Sequence, residues 1–124
     1  MNETLTADCV FCDITAGRGP ANFIDQWPDA MAFTPLEGGV TPGHTLVVPR
    51  THVANAIVDP VVTGFSVIRA ATLAGQMISN GRMPGANLIT SIGQVATQSI
   101  LHLHWHVVPR HHGDGLPLPW TVPG

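Results

Sequence analysis

The amino-acid sequence predicts one α+β domain, residues 1–124, in which a mostly antiparallel five-stranded sheet carries one long helix and a short N-terminal helix. Three observations support this fold class. The length of 124 residues is that of one domain. Five short apolar segments have the composition of strands. One longer segment has the start and stop signals of a helix.

The first half of the chain predicts a short helix and then three strands, at residues 9–17 for the helix and at 22–27, 30–35 and 43–49 for the strands. Gly17 ends the helix, and Pro28 with Asp29 joins the first two strands. The third strand is rich in β-branched residues and ends at Pro49.

The segment 59–81 predicts the long helix. Asp59 can cap its N-terminus, Pro60 suits the first turn, and Asn80 with Gly81 ends it. Six residues at helical spacing are expected to form its buried stripe: Val61, Phe65, Ile68, Thr72, Gly75 and Ile78. Residues 86–92 and 101–109 predict the last two strands, and from about residue 111 the Pro- and Gly-rich tail is expected to be irregular.

Composition argues against several classes of partner. Only five residues are cationic, all of them arginine, and the formal net charge is −3, so no basic surface is expected for a nucleic-acid polymer. No apolar run is long enough to predict a membrane span, and the first residues do not resemble a signal peptide. Two cysteines are too few for a typical secreted disulfide scaffold, which favours a cytoplasmic location.

Residues 102–108, "HLHWHVV", place three histidines at alternate positions. In a strand, His102, His104 and His106 would share one face, and the apolar residues between them would share the other. Same-face neighbours on a strand lie roughly 6.5–7 Å apart, which is too far for three in a row to bind one metal without a bend. A shared catalytic surface is therefore the favoured interpretation.

Cys9 and Cys12 form a Cys-x-x-Cys pair, whose two sulfurs can reach one zinc ion. The remaining ligands would be histidines from distant parts of the chain, because no compact Cys2His2 spacing follows. A redox pair and two incidental buried thiols remain alternatives.

The polar loop at 93–99 leads into the histidine segment. Its backbone N–H groups and the side chains of Gln98 and Ser99 can face an oxyanion. A neutral imidazole beside such a loop has a lone pair with which to attack phosphorus.

These segments together resemble the histidine triad (HIT) family, whose signature alternates three histidines with apolar residues. "CVFCDITAGRGP" is similar to the N-terminal segment of zinc-containing members. "AFTPLEGGVTPGHTLVVPRTHV" and "VATQSILHLHWHVVPR" are similar to the family's first strand pair and to its active-site loop and strand. The resemblance implies the HIT-like fold over about residues 9–113.

The resemblance also implies roles for individual residues. His104 would be the nucleophile, His106 would contact the phosphate and its leaving group, and Gln98 and Ser99 would help to bind the phosphate. Four residues would hold one structural zinc ion: Cys9, Cys12, His52 and His102.

The implied function is hydrolysis or transfer of a nucleotidyl group through a nucleotidyl-histidine intermediate. Substrates of the family are purine nucleoside phosphoramidates, adenylates or dinucleoside polyphosphates, and members are usually homodimers. Two alternatives stay open: a purine-nucleotide-binding protein with little catalysis, and a zinc-stabilised interaction module.

The sequence departs from the family pattern at three places. Ser91 stands where an Asn is expected and Thr97 where a Gly is expected, and the loop at 35–44 is one residue longer than usual. Glu37 is the candidate for binding the ribose hydroxyls, with a solvated loop acid as its alternative. Of the residues outside the motifs, His44 is expected to make a structural hydrogen bond, and Arg110 either approaches a phosphate or pairs on the surface.

Overall fold

The structure is a computed structural model that describes residues 9–121. Its helices and strands, in chain order, are α1 (Val10–Thr15), β1 (Phe23–Gln26), β2 (Ala30–Phe33), β3 (Thr45–Pro49), α2 (Pro60–Ser79), β4 (Gly85–Ile89) and β5 (Trp105–Arg110). The strands form one sheet in the order β1-β2-β3-β5-β4, and every neighbouring pair is antiparallel. The predicted fold class is therefore confirmed, and the described tail after residue 110 is irregular as expected.

The two faces of the sheet are covered by different helices because side chains alternate along each strand. On one face, Ala32, Val47 and Val107 pack in a cluster with Ala70 and Leu73 of α2. On the other face, two side chains of α1, Phe11 and Ile14, pack against side chains of β2 and β3. These strand residues are Met31, Phe33, Leu46 and Val48. The short helix thus lies on the same face as His106, whose strand partner is Leu46.

Helix α2 begins and ends as predicted, but the prediction of its buried stripe was wrong. Asp59 accepts a hydrogen bond from the Val61 N–H, and Gly81 follows the helix with a φ of 75°. Val61 is 73% exposed and Ile68 is 60% exposed. The buried residues of α2 are Val62, Ser66, Ala70, Leu73, Ala74 and Met77.

The reason for this error is that α2 is apolar on most of its circumference. By length and composition alone it would be long and apolar enough to cross a membrane, with a mean hydropathy of 1.4. Small residues such as Ala70 and Ala74 let the helix approach the sheet closely, and Ser66 accepts a hydrogen bond from Trp105 Nε1 at 3.0 Å. The larger aliphatic residues chosen from periodicity, Val61, Ile68 and Ile78, are exposed. Phe65 is partly buried and packs against the cluster of Val53, Val62 and Leu103.

The last strand starts later than predicted, at Trp105 and not at residue 101. The preceding segment is held by other contacts: the Leu103 N–H donates to the Val53 carbonyl at 2.8 Å, and the Thr90 hydroxyl donates to the His104 carbonyl at 2.8 Å. His102 and His104 therefore lie before the strand, and only His106 lies in it. The first two histidines are freed from strict strand geometry, which allows them to serve separate sites.

Candidate active site and metal cluster

Two cysteines and two histidines from three parts of the chain meet at one point. Cys9 and Cys12 flank the start of α1, His52 follows β3, and His102 precedes β5. Their ligand atoms all lie within 4.8 Å of one another. The structure thus brings together the four residues that the sequence predicts for zinc.

Four of the six distances between ligand atoms in this Cys2His2 cluster are close to those of a tetrahedral zinc site. The Nδ1 atoms of His52 and His102 lie 3.2 Å apart, and Cys12 Sγ lies 3.1 Å and 3.5 Å from them. Cys9 Sγ lies 3.4 Å from His102 Nδ1. Zinc bond lengths near 2.0 and 2.3 Å imply edges of about 3.3 Å between two nitrogens and about 3.5 Å between nitrogen and sulfur.

The burial and hydrogen bonding of His102 suit this residue to bind a metal ion. His102 is completely buried, and its Nε2–H donates to the Pro49 carbonyl at 2.8 Å, which leaves the Nδ1 lone pair facing the sulfurs. Burial lowers the pKa of His102 to about 4, so the ring is neutral at pH 7. Both ring nitrogens of His102 are therefore in the protonation state that a zinc ligand requires.

The Cys12 thiol does not have the character of a reactive redox cysteine. Burial, together with the neighbouring Cys9, raises the pKa of Cys12 to about 12. A reactive dithiol instead needs a thiolate stabilised near neutral pH. A buried thiol with a raised pKa becomes a thiolate only when a cation compensates its charge, as a bound zinc ion does.

His104 presents the opposite nitrogen from His102. Its Nδ1–H donates to the His102 carbonyl at 2.8 Å, so the Nε2 atom carries the lone pair. The ring is half-buried and packs edge-on against Phe11 at 5.1 Å. Burial lowers the pKa of His104, which keeps the imidazole neutral and nucleophilic at pH 7.

His106 is held in the complementary tautomer by a chain of hydrogen bonds. The Val40 N–H donates to His44 Nδ1 at 3.1 Å, so His44 carries its proton on Nε2. That Nε2–H donates to His106 Nδ1 at 3.0 Å, and His106 therefore presents an Nε2–H donor. Burial is the main reason that the pKa of His106 falls to about 4, followed by the neighbouring His104 and His44.

The sequence predicted a structural hydrogen bond for His44 but not its contact with His106. The loop before it is built for this contact, because Gly39 has a φ of 82° and a Cβ there would lie 2.8 Å from His44 Nδ1. The extra length of the loop at 35–44 could be read from the sequence, but the contact between His44 and His106 could not.

One cleft of about 360 Å³ contains every predicted residue outside the metal cluster. Its lining residues are Phe11, Pro35, Leu36, Glu37, Leu46, Ser91, Thr97, Gln98, Ser99, Ile100, His104 and His106. Glu37 and Ser99 are exposed, whereas Ser91 is half-buried. None of these lining residues is Lys or Arg, so a phosphate in the cleft would meet backbone N–H groups, hydroxyls and imidazoles.

Within this cleft, the Gln98 side chain is already occupied. Its Nε2 donates to the carbonyls of Ala54 at 2.6 Å and Ile100 at 3.0 Å, and its Oε1 accepts from the Gly93 N–H at 2.9 Å. The amide thus braces the loop at 93–99 in this conformation. The neighbouring Ser99 is exposed and lines the cleft, and its hydroxyl makes no hydrogen bond to another described residue.

Thr97 adopts a backbone conformation that suits glycine, with a φ of 70°. Among residues 9–121 it is the one non-glycine residue with a positive φ. The resemblance noted in the sequence leads one to expect a glycine at this position, so the departure at Thr97 coincides with local backbone strain.

Arg110 is not among the residues that line this cleft. Its guanidinium donates to both carboxylate oxygens of Asp114, to Asn87 Oδ1 and to the Leu116 carbonyl. The alternative in which Arg110 pairs with a neighbouring acid is therefore the one observed.

Comparison with known proteins supports the family resemblance noted in the sequence. A family model described as "HIT domain" matches residues 17–113. The chain is 33% identical over 117 residues to "Protein hit" of Bacillus subtilis, covering 93% of this chain and 80% of that relative.

Two further relatives bear on metal and on activity. A Zn-bound histidine triad family protein from Mycobacterium smegmatis superimposes with a TM-score of 0.83 at 31% identity, covering 90% of this chain and 81% of the other. "Adenylylsulfatase HINT3" of Arabidopsis thaliana is 31% identical over 121 residues, covering 93% of this chain and 58% of that protein.

Proposed function

Because this chain belongs to the histidine triad (HIT) family, we propose that it is a nucleotidyl hydrolase or transferase. It acts at the α-phosphate of a purine nucleoside phosphoramidate, adenylate or dinucleoside polyphosphate. The observation that carries the proposal is the pair of opposed tautomers in one cleft, a lone pair on His104 Nε2 beside a donor on His106 Nε2. Nucleophilic displacement at phosphorus uses both of these groups.

In the first step, His104 Nε2 attacks the α-phosphorus, and the bond between phosphorus and the leaving group breaks. The electron pair of that bond stays on the leaving group, which accepts a hydrogen bond from His106 Nε2–H and takes its proton from solvent. The His102 carbonyl, 2.8 Å from His104 Nδ1, stabilises the positive charge that the nucleophilic ring acquires. The product of this step is a nucleotidyl group on His104.

In the second step, water attacks the phosphorus and the bond to His104 breaks. The nucleoside monophosphate leaves, one proton goes to solvent, and the lone pair of His104 is restored. An acceptor other than water would make the same protein a transferase. The exposed Ser99 hydroxyl and the backbone N–H groups of the loop at 93–99 are proposed to hold the phosphate oxygens through both steps.

Glu37 is proposed to bind the ribose. It lies on the exposed rim of the cleft that also contains His104, and a carboxylate can accept hydrogen bonds from both ribose hydroxyls. Apolar residues of the same cleft, such as Phe11, Leu36 and Ile100, are suited to a flat purine base.

A zinc ion held by Cys9, Cys12, His52 and His102 is proposed to stabilise the fold. Four protein ligands close the coordination sphere, so such an ion supplies cohesion between α1, the segment after β3 and the segment before β5. The chemistry at phosphorus then belongs to the neighbouring cleft.

The protein is also proposed to be a cytoplasmic homodimer that acts on nucleotides and not on nucleic-acid polymers. The outer face of α2 exposes Val61, Ile68 and Gly75, which recur at helical spacing on the side opposite the sheet. Exposed apolar surface of this kind marks protein–protein contacts, and the family resemblance implies that the contact is with a second copy. Light scattering at micromolar concentration should give twice the chain mass of 13.1 kDa.

The decisive experiment for the function compares His104→Ala with His112→Ala. His112 is an exposed histidine outside the cleft, so its loss is the matched control. We expect His104→Ala to lower turnover of adenosine 5′-phosphoramidate by at least about 10³-fold, as expected when a nucleophile is removed, while His112→Ala retains it.

Trapping the intermediate tests the mechanism directly. Alkaline denaturation during turnover, followed by mass spectrometry, should find a nucleotidyl mass on the peptide containing His104. If the wild-type protein binds AMP but turns over none of these substrates, it is a nucleotide-binding protein. Ser91 and the strained Thr97 favour that alternative. Wild-type turnover by His104→Ala would refute the covalent mechanism.

A further inference from the structure

A second cavity shares His106 with the catalytic cleft. It has a volume of about 320 Å³ and is formed where the irregular tail passes β4 and β5. Most of its wall is apolar, contributed by Val40, Ile89, Val108, Leu116, Pro117 and Leu118. We call it the tail cavity.

The tail cavity is continuous with the catalytic cleft. Ser91, Thr97 and His106 line both spaces. The cleft also contains Glu37 and the nucleophile His104, whereas the tail cavity contains neither. A substrate with its phosphorus at His104 and its nucleoside toward Glu37 would direct the opposite substituent past His106 into the tail cavity.

The polar groups of the tail cavity are mostly committed to one another. Arg110 is its one permanent cation among the described lining residues, and it is bound to both oxygens of Asp114, 2.9 Å and 3.0 Å away. The same guanidinium donates to Asn87 Oδ1 and to the Leu116 carbonyl. An anionic group entering the cavity would find this charge already neutralised.

Ser91 strengthens the apolar character of this space. It stands at the boundary between the two spaces, where the family pattern has an Asn, and a hydroxymethyl group offers less polar surface than a carboxamide. His44 also lines the cavity, but both of its ring nitrogens are used by Val40 and His106.

We propose that the tail cavity binds the leaving group of the substrate and selects apolar amines over anionic groups. This inference rests on the proposed function, and it narrows the substrate class to nucleoside phosphoramidates with an apolar substituent on nitrogen. Leu118 is a specificity-determining residue in this proposal, because it is a half-buried side chain on the wall of the cavity and belongs to the irregular tail.

The test measures kcat/KM for three adenosine 5′-phosphoramidates on the zinc-loaded protein. One has an unsubstituted nitrogen, one an N-benzyl group and one an N-carboxymethyl group, so all three break the same type of bond. The proposal expects the N-benzyl substrate to exceed the N-carboxymethyl substrate by at least about tenfold, a ratio that burial of one apolar group in a pocket supports.

Two variants of Leu118 then locate the preference. Leu118→Ala should reduce the ratio of benzyl to carboxymethyl turnover several-fold, and Leu118→Arg should reverse the preference by adding an unpaired cation. Ile57→Ala is the matched control, because Ile57 is 70% exposed and belongs to neither lining, and it should leave the ratio unchanged.

The outcomes separate this inference from the proposed function. If the protein turns over all three substrates at similar rates, or prefers the carboxymethyl compound, the tail cavity is not an apolar leaving-group site, although the proposed function stands. The same conclusion follows if both Leu118 variants keep the wild-type ratio. If none of the three substrates is turned over, the proposed function fails and the inference fails with it.

Discussion

His102 and His104 are two residues apart, yet their environments differ in almost every respect. His102 is completely buried, donates from Nε2 to Pro49 and directs Nδ1 toward two sulfurs. His104 is half-buried, donates from Nδ1 to the His102 carbonyl and leaves Nε2 for the cleft. The role open to each histidine therefore depends on which of its ring nitrogens donates to a backbone carbonyl. The residue type alone does not decide it.

The largest expected effect comes from breaking the metal side of this comparison. Cys12→Ser removes a ligand of the cluster, and loss of a structural zinc site removes folding free energy directly. We expect the melting temperature to fall by more than about 10 °C, since a few kcal/mol shift the melting temperature of a domain of this size by that amount.

Thermal unfolding with and without a chelator, alongside elemental analysis, checks this prediction. His104→Ala should keep its zinc, because its ring contributes no ligand atom to the cluster. A wild-type protein purified without chelator that contained no zinc, or that melted at the same temperature after chelation, would contradict the assignment.

A smaller effect is expected from disturbing the tautomer on the cleft side. His44→Ala removes the N–H that donates to His106 Nδ1, so His106 would no longer be held with its proton toward the cleft. Loss of one positioned donor costs about 10²-fold in kcat, and we expect a loss of that order or below.

His44→Gln is the informative partner variant. A glutamine amide can donate to His106 Nδ1 and should recover part of the activity, whereas a merely structural defect would not be rescued in this way. The KM for substrate and the zinc content should change little in either variant. If His44→Ala kept wild-type kcat, the hydrogen-bond chain would have no part in the reaction.

Acidification is expected to weaken the folded state through His106. Its pKa is about 4 in the folded protein, against 6.5 for an ordinary histidine, so between these values the unfolded chain binds more protons. The stabilisation from neutral His106 is therefore fully present above about pH 6.5 and is lost as the pH falls toward 4.

Chemical denaturation at a series of pH values from 7.5 to 5 measures this effect. His106→Gln cannot titrate, so its free energy of unfolding should fall less steeply with acidification than that of the wild type. Parallel slopes for the two proteins would show that His106 does not contribute. His44 neighbours this ring and its pKa is also lowered by burial, so part of the slope should remain.

The smallest effect is expected at Thr97, the strained residue of the loop at 93–99. Thr97→Gly should raise the free energy of unfolding by about 1 kcal/mol, because glycine accepts the φ of 70° while it adds some entropy to the unfolded chain. Thr97→Ala keeps the strained backbone and should bring no such gain. Equal stabilities of the Gly and Ala variants, measured by denaturant unfolding, would contradict the assignment of strain.

The sequence predicts best what depends on local pattern. The Cys-x-x-Cys pair, the alternating histidines and the cap at Asp59 each lie within a few residues, and the strands differ from their predicted limits mainly at the ends. The residues chosen for the cleft also lie together in it, although their roles remain predictions.

What the sequence could not provide depends on neighbours far along the chain. The buried side of α2 was misassigned because both sides are apolar, and only the sheet determines which one faces inward. The link from His44 to His106 spans 62 positions, and the commitment of the Gln98 amide depends on Ala54, 44 positions away. Neither contact leaves a periodic signal.

The lack of a lysine or arginine in the cleft has a consequence for how the protein meets its ligand. Attraction between full charges is screened over about 8 Å at physiological ionic strength, whereas short hydrogen bonds from neutral donors are barely affected. With a formal net charge of −3, the chain on average repels an anionic nucleotide at long range. Added salt screens this repulsion, so association with an anionic ligand should speed up modestly from dilute to physiological salt and should not weaken.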